Sequence, residues 1–293
     1  MSEAWTIARV VRWASDDFRS RAIESPRLEA ELLLAYALGI DRLRIFVESE
    51  RELEAGELAR FREIVRRRRT REPVAYIRGE REFYGRAFRV DRRVLVPRPD
   101  TETLVEVALS RTARVSLCAR VLDLCTGSGC VAITLARERP TTRVDAVDLS
   151  TDALAVARDN AARLGAHLVR FVAGDLFAPL DPARDRYDLI TANAPYIADG
   201  AMAELPPDVR DHEPHLALAG GDDGLALVRR IVAGATRFLL PGGVLALEVG
   251  AGQAPAVAQL VREAGFTGVA VARDYGGIER VVSGVRSGDE EPR

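Results

Sequence analysis

The sequence of 293 residues has no lysine, only three cysteines and no long apolar run. Without lysine, a phosphate-gripping loop that depends on a lysine side chain is excluded. Cys118, Cys125 and Cys130 surround one predicted strand, and an odd count at this spacing fits neither a disulfide framework nor a zinc site. We therefore predict a reducing compartment, the cytoplasm, and no metal site. No apolar run approaches the ~20 residues that span a bilayer, so we expect no membrane segment.

Charge and composition narrow the class of protein further. The net charge of −2 disfavours a dedicated nucleic-acid binder, which is usually basic. The first residues lack the basic segment and apolar stretch of a secretory signal, so we expect no such leader. Hydrophobic residues make up 47% of the chain and charged residues 29%, which is ordinary for a globular protein. The length permits one large domain and one smaller domain.

Residues 1–73 carry apolar side chains at helical spacing, with no strand-like alternation. Ser25-Pro26 is a typical helix start and Gly39 a typical helix end. We predict a helical bundle domain of four or five short helices. The arginines at 66–69, with Arg71, allow two interpretations: the solvated end of a helix, or a patch for an acidic partner surface or RNA.

The next segment, residues 74–97, is predicted to be a β-hairpin linker, because glycines, aromatics and alternating polar residues follow one another there. Two prolines then hold the chain extended, and Thr101 can cap the following helix. The larger domain is predicted to span residues 98–286, and residues 287–293 form a polar tail that we expect to fray.

Strands and helices alternate from residue 120 onward. Strands are predicted at 120–124, 143–148, 168–173, 187–192, 244–249, 269–272 and 279–283, and helices at 129–137, 151–164, 224–238 and 254–264. Strands that alternate with helices of this length predict an α/β fold with a doubly wound, Rossmann-like sheet. Such sheets bind ligands beyond the carboxyl ends of their strands, where the strand order reverses.

The first strand runs into a turn of small residues that predicts a nucleoside site. Its members are Cys125, Thr126, Gly127, Ser128 and Gly129. Backbone N–H groups at such a helix start can approach a ligand closely, and Asp148, after the next strand, can accept both hydroxyls of a ribose. Asp175 is a candidate partner for an adenine amino group, with Leu176 or Phe177 on the ring. The alternatives are a turn without ligand, a helix-capping acid at Asp148 and ordinary Gly-Asp turn chemistry at Asp175.

The fourth strand ends in Asn193, Ala194, Pro195 and Tyr196, which predict a site for a planar NH2 group. An amide nitrogen is a poor nucleophile, so an enzyme that methylates it must bind both N–H hydrogens and aim the nitrogen. The side-chain oxygen of Asn193 and the backbone oxygen of Ala194 can be the two acceptors, and Tyr196 can lie against the amide face. The alternative is an Asn-Pro-type turn without function. A dinucleotide is disfavoured because three spaced glycines are missing.

These segments resemble the release-factor glutamine methyltransferase family, the HemK-like enzymes. The further matching segments are residues 73–79, 82–85, 95–102, 209–214 and 220–225. The resemblance implies a class I S-adenosylmethionine-dependent methyltransferase that modifies N5 of the Gly-Gly-Gln glutamine in peptide chain release factors, which would be its protein partners. It also implies that the 125–129 turn, Asp148, Leu176 and Asn193 line the cofactor site and that residues 193–196 grip the glutamine. Phe83, Tyr84 and Arg98 are weaker candidates for the mouth of that site.

Two positions depart from the family pattern: Cys125 replaces a common glycine, and Ala194 replaces a common proline. A cysteine is tolerable at that turn if its φ angle is negative. The departure at Ala194 leaves another protein substrate open, such as a ribosomal-protein glutamine. Two further alternatives are N6-adenine methylation of nucleic acid, because an exocyclic arylamine needs the same two acceptors, and a non-catalytic cofactor- or RNA-binding module with the arginine run as its contact. We expect a monomer without stable nucleic acid, and a surface loop rather than a metal site at His212 and His215.

Overall fold

The computed structural model describes residues 4–113 and 118–288. The described chain divides into two compact units. The first contains the residues up to Gly79 together with Pro206–His212, and the second contains Glu80–Leu205 and the chain from Glu213 onward. Of the predicted polar tail, residues 289–293 lie outside the described part.

Five helices form the first unit within residues 4–79: α1 (Ile7–Ser20), α2 (Pro26–Leu38), α3 (Arg42–Val47), α4 (Ala55–Arg69) and α5 (Val74–Arg78). The side chain of Thr6 caps α1 by accepting from the backbone N–H of Arg9, and Gly39 ends α2 with a left-handed φ of 66°. Phe18 and Phe61 lie in the core that the helices share. The predicted helical bundle is confirmed.

A short hairpin opens the second unit. Strands β1 (Glu80–Phe83) and β2 (Arg86–Arg89) pair antiparallel, and the rings of Phe83 and Phe88 are buried in the core of this unit with centroids 6.0 Å apart. The segment assigned to a hairpin linker, residues 74–97, is therefore divided in the structure. Its first residues form α5, and the hairpin itself is anchored in the core by two aromatic side chains.

The second unit is built on a seven-stranded sheet with the order β5-β4-β3-β6-β7-β9-β8, in which β9 runs antiparallel to both neighbours. The strands are β3 (Arg120–Leu124), β4 (Arg143–Asp148), β5 (Val169–Ala173), β6 (Tyr187–Ala192), β7 (Leu239–Glu248), β8 (Phe266–Arg273) and β9 (Glu279–Arg286). The helices are α6 (Glu102–Arg111), α7 (Cys130–Glu138), α8 (Thr151–Leu164), α10 (Ala226–Phe238) and α11 (Ala254–Glu263), and the short α9 (Pro207–Arg210) belongs to the first unit. The predicted doubly wound α/β fold is confirmed.

The strand order reverses between β3 and β6, which lie side by side and parallel. Leu124 pairs with Ala192 at their carboxyl ends, so the segments beginning at Cys125 and Asn193 leave the sheet as neighbours. Strand β7 begins at Leu239, ahead of the predicted start at 244, because the Pro-Gly-Gly sequence is an irregularity inside the strand. The fold thus delivers both predicted segments to one edge of the sheet.

The arginine run from Arg66 to Arg69 forms the last turn of α4, as the helix-end interpretation expects, but it is not solvated throughout. Arg68 is only 2% exposed, and its guanidinium donates to Glu29 and, at 2.6 Å, to Asp208 of the first unit. The other three arginines of the run also bond carboxylates: Arg66 with Glu63, Arg67 with Glu72, and Arg69 with Asp17. The run is therefore a helix end whose arginines pair with carboxylates of the same unit, from the exposed Arg66 to the buried Arg68, and it is not a free basic patch.

Candidate active site

A cleft at the carboxyl edge of the sheet holds about 790 Å³ of empty space, part of it open to solvent. Its walls combine apolar side chains with a few polar groups, as is typical of cofactor pockets. Among the residues that line it are Gly127, Asp148, Leu149, Leu176, Asn193 and Leu227. All of them belong to the second unit.

The turn after β3 presents its backbone at this cleft. Cys125, Thr126, Gly127 and Ser128 line the cleft or the small cavity beside it. Gly129 lies behind them as the N-cap of α7, with a φ of 80°, and a Cβ atom there would sit 2.8 Å from Ile133. Glycine is therefore required at 129 by packing and by backbone conformation. The turn lies where the sequence predicts it, with Gly129 as support.

Cys125 corrects one expectation. Its φ is 57°, whereas a negative φ was the condition for tolerating cysteine at this turn. The left-handed conformation costs a non-glycine residue roughly 1–2 kcal/mol. Burial, with neighbouring carboxylates, raises the pKa of the thiol, so the side chain is neutral at physiological pH. The residue is a strained, unreactive substitute for the smaller glycine.

Asp148 is the last residue of β4, and its side chain connects this strand to the turn after β3. Its carboxylate accepts the backbone N–H of Gly127 at 2.8 Å and that of Ser150 at 2.9 Å. Burial raises the pKa of Asp148, while these backbone hydrogen bonds favour its charged form. A carboxylate that is buried yet lines the cleft can accept the hydroxyl groups of a ribose. The carboxylate therefore fits a nucleoside cofactor.

Three residues after β5 were predicted to contact an adenine, and the structure places them differently. Asp175 and Leu176 line the cleft, but the carboxylate of Asp175 is paired with Arg230 at 2.7 Å. Leu176 has a φ of 50° and is 7% exposed, and it forms part of the wall of the cleft. Phe177 stacks on Phe238 with centroids 4.7 Å apart, so it packs within the unit and is not available to cover an adenine.

The segment after β6 places Asn193 at both the cleft and the adjoining cavity. The Nδ2 amide of Asn193 donates to Oγ1 of Thr101 at 3.2 Å, so its Oδ1 is the end left for another donor. Ala194 is 2% exposed and its side chain joins the core, and Pro195 lines the cleft. The backbone oxygen of Tyr196 accepts from Gln253 at 3.0 Å. Cys125, Gly127, Asp148, Asn193 and Pro195 thus line one cleft, whereas Ala194 and Tyr196 are not among its lining residues.

Several buried polar residues of the site were not identified from the sequence. Asp123 accepts the hydroxyls of Thr126 and Thr191 at 2.6 and 2.7 Å, and burial raises its pKa to about 6. Asn160 donates to the backbone oxygen of Ser128 at 3.0 Å. Glu248 lies at the end of β7 and is 2% exposed. The available signal was an acidic residue within an apolar strand at Asp123 and at the end of one at Glu248.

The weaker candidates are placed differently. Phe83 is buried in the core and is not among the residues that line the cleft, and Arg98 donates to Glu213 at 2.6 Å. His212 bonds the backbone oxygen of Thr70 at 2.7 Å, within the first unit. In residues 4–113 and 118–288, no group of histidine, cysteine or acidic side chains is arranged to hold a metal ion. Every helix in the same residues is too short or too polar to span a lipid bilayer.

A seven-stranded sheet with this strand order, a glycine-containing turn after β3 and a carboxylate after β4 define a class I S-adenosylmethionine-dependent methyltransferase. Two family models agree: one described as the PrmC N-terminal domain matches residues 9–79, and one described as the methyltransferase small domain matches residues 101–205. A methyltransferase structure from Pyrococcus furiosus shares the fold, with 17% identity and a TM-score of 0.51 over 70% of this chain and 91% of that chain.

Curated relatives carry the assignment to the level of a family. A release factor glutamine methyltransferase from Geobacter sulfurreducens is 44% identical over 96% of this chain and 97% of its own length. The enzyme of the same name from Cereibacter sphaeroides is 46% identical over 94% of this chain and 97% of its own. The chain therefore belongs to the release factor glutamine methyltransferase family.

Proposed function

We propose that the protein transfers a methyl group from S-adenosylmethionine to the side-chain amide nitrogen of the glutamine in the Gly-Gly-Gln motif of peptide chain release factors. The observation that carries the proposal is that Asn193 lines the same cleft as Asp148 and the 125–129 turn. An amide-binding group and a ribose-binding group on neighbouring strand ends are what methylation of an amide requires.

The chain offers a distinct role for each wall of the cleft. We assign the ribose hydroxyls to Asp148 and the close backbone approach to Cys125, Thr126, Gly127 and Ser128. Leu176 is assigned to the adenine face. Asp175 is assigned to the adenine amino group and would keep Arg230 as its other partner. Buried carboxylates around the pocket also suit a cofactor that carries a positive charge.

S-adenosylmethionine held by Asp148 and the 125–129 turn would supply an electrophilic methyl carbon with a neutral sulfide as the leaving group, and the methylated glutamine nitrogen would give up one proton to water. Asn193 Oδ1 and the backbone oxygen of Ala194 accept the two N–H hydrogens and turn the nitrogen toward the methyl group. Pro195 fixes the backbone of that turn, and Tyr196 supports the amide face. Both acceptors become more favourable as positive charge grows on the nitrogen.

The choice of partner rests on the named relatives, which act on release factors. The arginine run, the contact expected of a non-catalytic RNA-binding module, is paired with Glu63, Glu72, Asp17, Glu29 and Asp208 and gives that alternative no support. N6-adenine methylation needs the same two acceptors, but the net charge of −2 disfavours it. The cytoplasmic location, the monomeric state and the absence of a stable nucleic-acid partner stay predictions.

Incubation of the purified protein with a release factor and isotope-labelled S-adenosylmethionine, followed by peptide mass spectrometry, tests the proposal. We expect one methyl group on the Gly-Gly-Gln glutamine and none when that glutamine is replaced by asparagine. A ribosomal-protein preparation and an adenine-containing oligonucleotide serve as competing substrates. Label on either of these, with none on the release factor, would overturn the substrate assignment.

A further inference from the structure

The register of β6 and β7 brings an unassigned acid beside Asn193. Ala192 pairs with Leu247 in parallel, and the next residue on each strand is Asn193 and Glu248. Glu248 is 2% exposed, and within the described residues its buried Oε2 atom has no hydrogen-bond partner. A buried carboxyl with an unsatisfied oxygen is costly, so its presence at a strand end next to the cleft calls for a role.

Thr101 connects this acid to the site. Asn193 Nδ2 donates to the Thr101 hydroxyl oxygen at 3.2 Å, and hydrogen bonding by Thr101 and Asn193 favours the ionised form of Glu248. A hydroxyl has one proton to donate. Since its oxygen already accepts from Asn193, that proton is free for the Glu248 carboxylate. The chain of bonds then has one direction, with the Asn193 NH2 turned inward and Oδ1 turned toward the cleft.

We propose that Thr101 and Glu248 are positioning residues: the ionised carboxylate orients the Thr101 hydroxyl, and the two groups together hold the Asn193 NH2 so that the amide oxygen faces the substrate NH2. This inference rests on the proposed function. Without that constraint the amide can rotate by half a turn and present its own NH2 to the substrate NH2. Two hydrogen-bond donors would then face each other, and the glutamine nitrogen of the substrate would no longer be directed at the methyl carbon.

Protonation of Glu248 would also allow the Asn193 amide to rotate. A protonated carboxyl can donate to Thr101, whose hydroxyl can then donate to Asn193 Oδ1. Burial raises the pKa of Glu248 to about 7, so this change falls in an accessible range. The charged neighbours are Arg280, which favours the ionised form, and Asp100, which opposes it and pairs with Arg280 at 3.1 Å. The buried hydroxyl of Tyr196 and the thiol of Cys130 also interact electrostatically with Glu248.

Paired variants of Thr101 test the inference. Thr101→Val removes the hydroxyl at constant size, and we expect kcat for release factor methylation to fall about ten- to hundredfold while cofactor affinity is unchanged. Thr101→Ser keeps a hydroxyl and should recover most of that loss. Thr142→Val is the matched control, because Thr142 is buried at the start of β4, at the opposite edge of the sheet, and its hydroxyl has no partner in the described residues. Thermal unfolding of each variant checks that it is folded.

The pH profile supplies a second readout. Wild-type kcat should rise as the pH passes upward through about 7, and Glu248→Gln should be slow with a flat profile over that range. Equal kcat for Thr101→Val and wild type, or the same pH profile in Glu248→Gln and wild type, would overturn the inference. If instead Asn193→Ala retains methylation of the release factor, the proposed function itself fails, whatever the Thr101 variants do.

Discussion

The two strand ends that face the cleft are built on different principles. The end of β3 works through its backbone: Cys125, Gly127 and Gly129 adopt left-handed conformations, and Asp148 accepts the backbone N–H of Gly127. The end of β6 works through a side chain, because Asn193 is the polar group that reaches the cleft and it is held by Thr101. The first end should therefore tolerate changes of side chain that respect its conformation, whereas the second should depend on chemical identity.

The sharpest test of this contrast is Asn193→Ala. It removes the side-chain acceptor for the substrate NH2, so we expect kcat to fall at least about a hundredfold. The affinity for S-adenosylmethionine, measured by calorimetry, should change little. A loss of affinity equal to the loss of kcat would mean that Asn193 serves the cofactor and would remove the distinction between the two ends.

Asp148→Asn tests the role of this carboxylate at the first end. The change weakens two hydrogen bonds from N–H groups to a charged acceptor and reduces acceptance of a ribose, so cofactor affinity should fall about ten- to hundredfold. Calorimetry gives the affinity directly. Asp159→Asn, at an exposed ion pair with Arg89, is the matched control and should leave the affinity unchanged. Equal affinities for Asp148→Asn and wild type would contradict the assignment.

Glu248→Gln, next to the end of β6, should make the fold more stable although it makes the enzyme slower. Burial raises the pKa of this carboxyl from 4.5 to about 7, so the folded state binds the proton more tightly than the unfolded state. The carboxyl therefore makes the fold less stable as the pH rises from about 4.5 through 7. At pH 8 the variant should gain roughly 1–3 kcal/mol in unfolding free energy, with a smaller gain at pH 5. Denaturant unfolding measures this difference, and a gain independent of pH would count against it.

The strain at Cys125 predicts opposite results for two substitutions. Glycine accepts a φ of 57° and should leave cofactor binding intact, with a change in stability below about 1 kcal/mol. A β-branched valine in that conformation should lower the unfolding free energy by about 1–3 kcal/mol. Thermal unfolding of both variants gives the comparison, and equal stability of the two would show that the backbone of the turn rearranges.

The smallest effect is expected for Ala194→Pro. Only the backbone oxygen of Ala194 is assigned a role, and a proline keeps that oxygen, so turnover should be kept or improved. Steady-state kinetics with a release factor measure it. A large loss of turnover would show that the alanine contributes something other than its carbonyl group.

Much of the sheet unit was predictable because its strands are continuous apolar runs punctuated by small residues. Strands β4 and β6 and helix α8 have the bounds that the sequence predicts. The position of the cleft followed as well, since parallel strands place their carboxyl ends at one edge. Asn193 and Asp148, which line the cleft, were placed in this way, as polar residues at the ends of apolar strands.

What was missed depends on partners far away in the sequence. Arg68 and Asp208 are separated by 140 positions, so an arginine run that reads as surface charge is in fact paired. Phe177 and Leu176 are adjacent and both apolar, and only the stacking on Phe238 decides which one packs inward. Glu248 lies beside Asn193 because of the register between β6 and β7, and local sequence periodicity does not specify that register.

The participation of Pro206–His212 in the first unit bears on how freely the helices could be exchanged between enzymes. A graft of residues 9–79 alone would omit Asp208 and leave the buried Arg68 with one carboxylate fewer. Modular transplantation would have to carry the two separate stretches of chain together. The helical unit is thus formed by two separate stretches of chain, and the N-terminal stretch alone does not contain all of it.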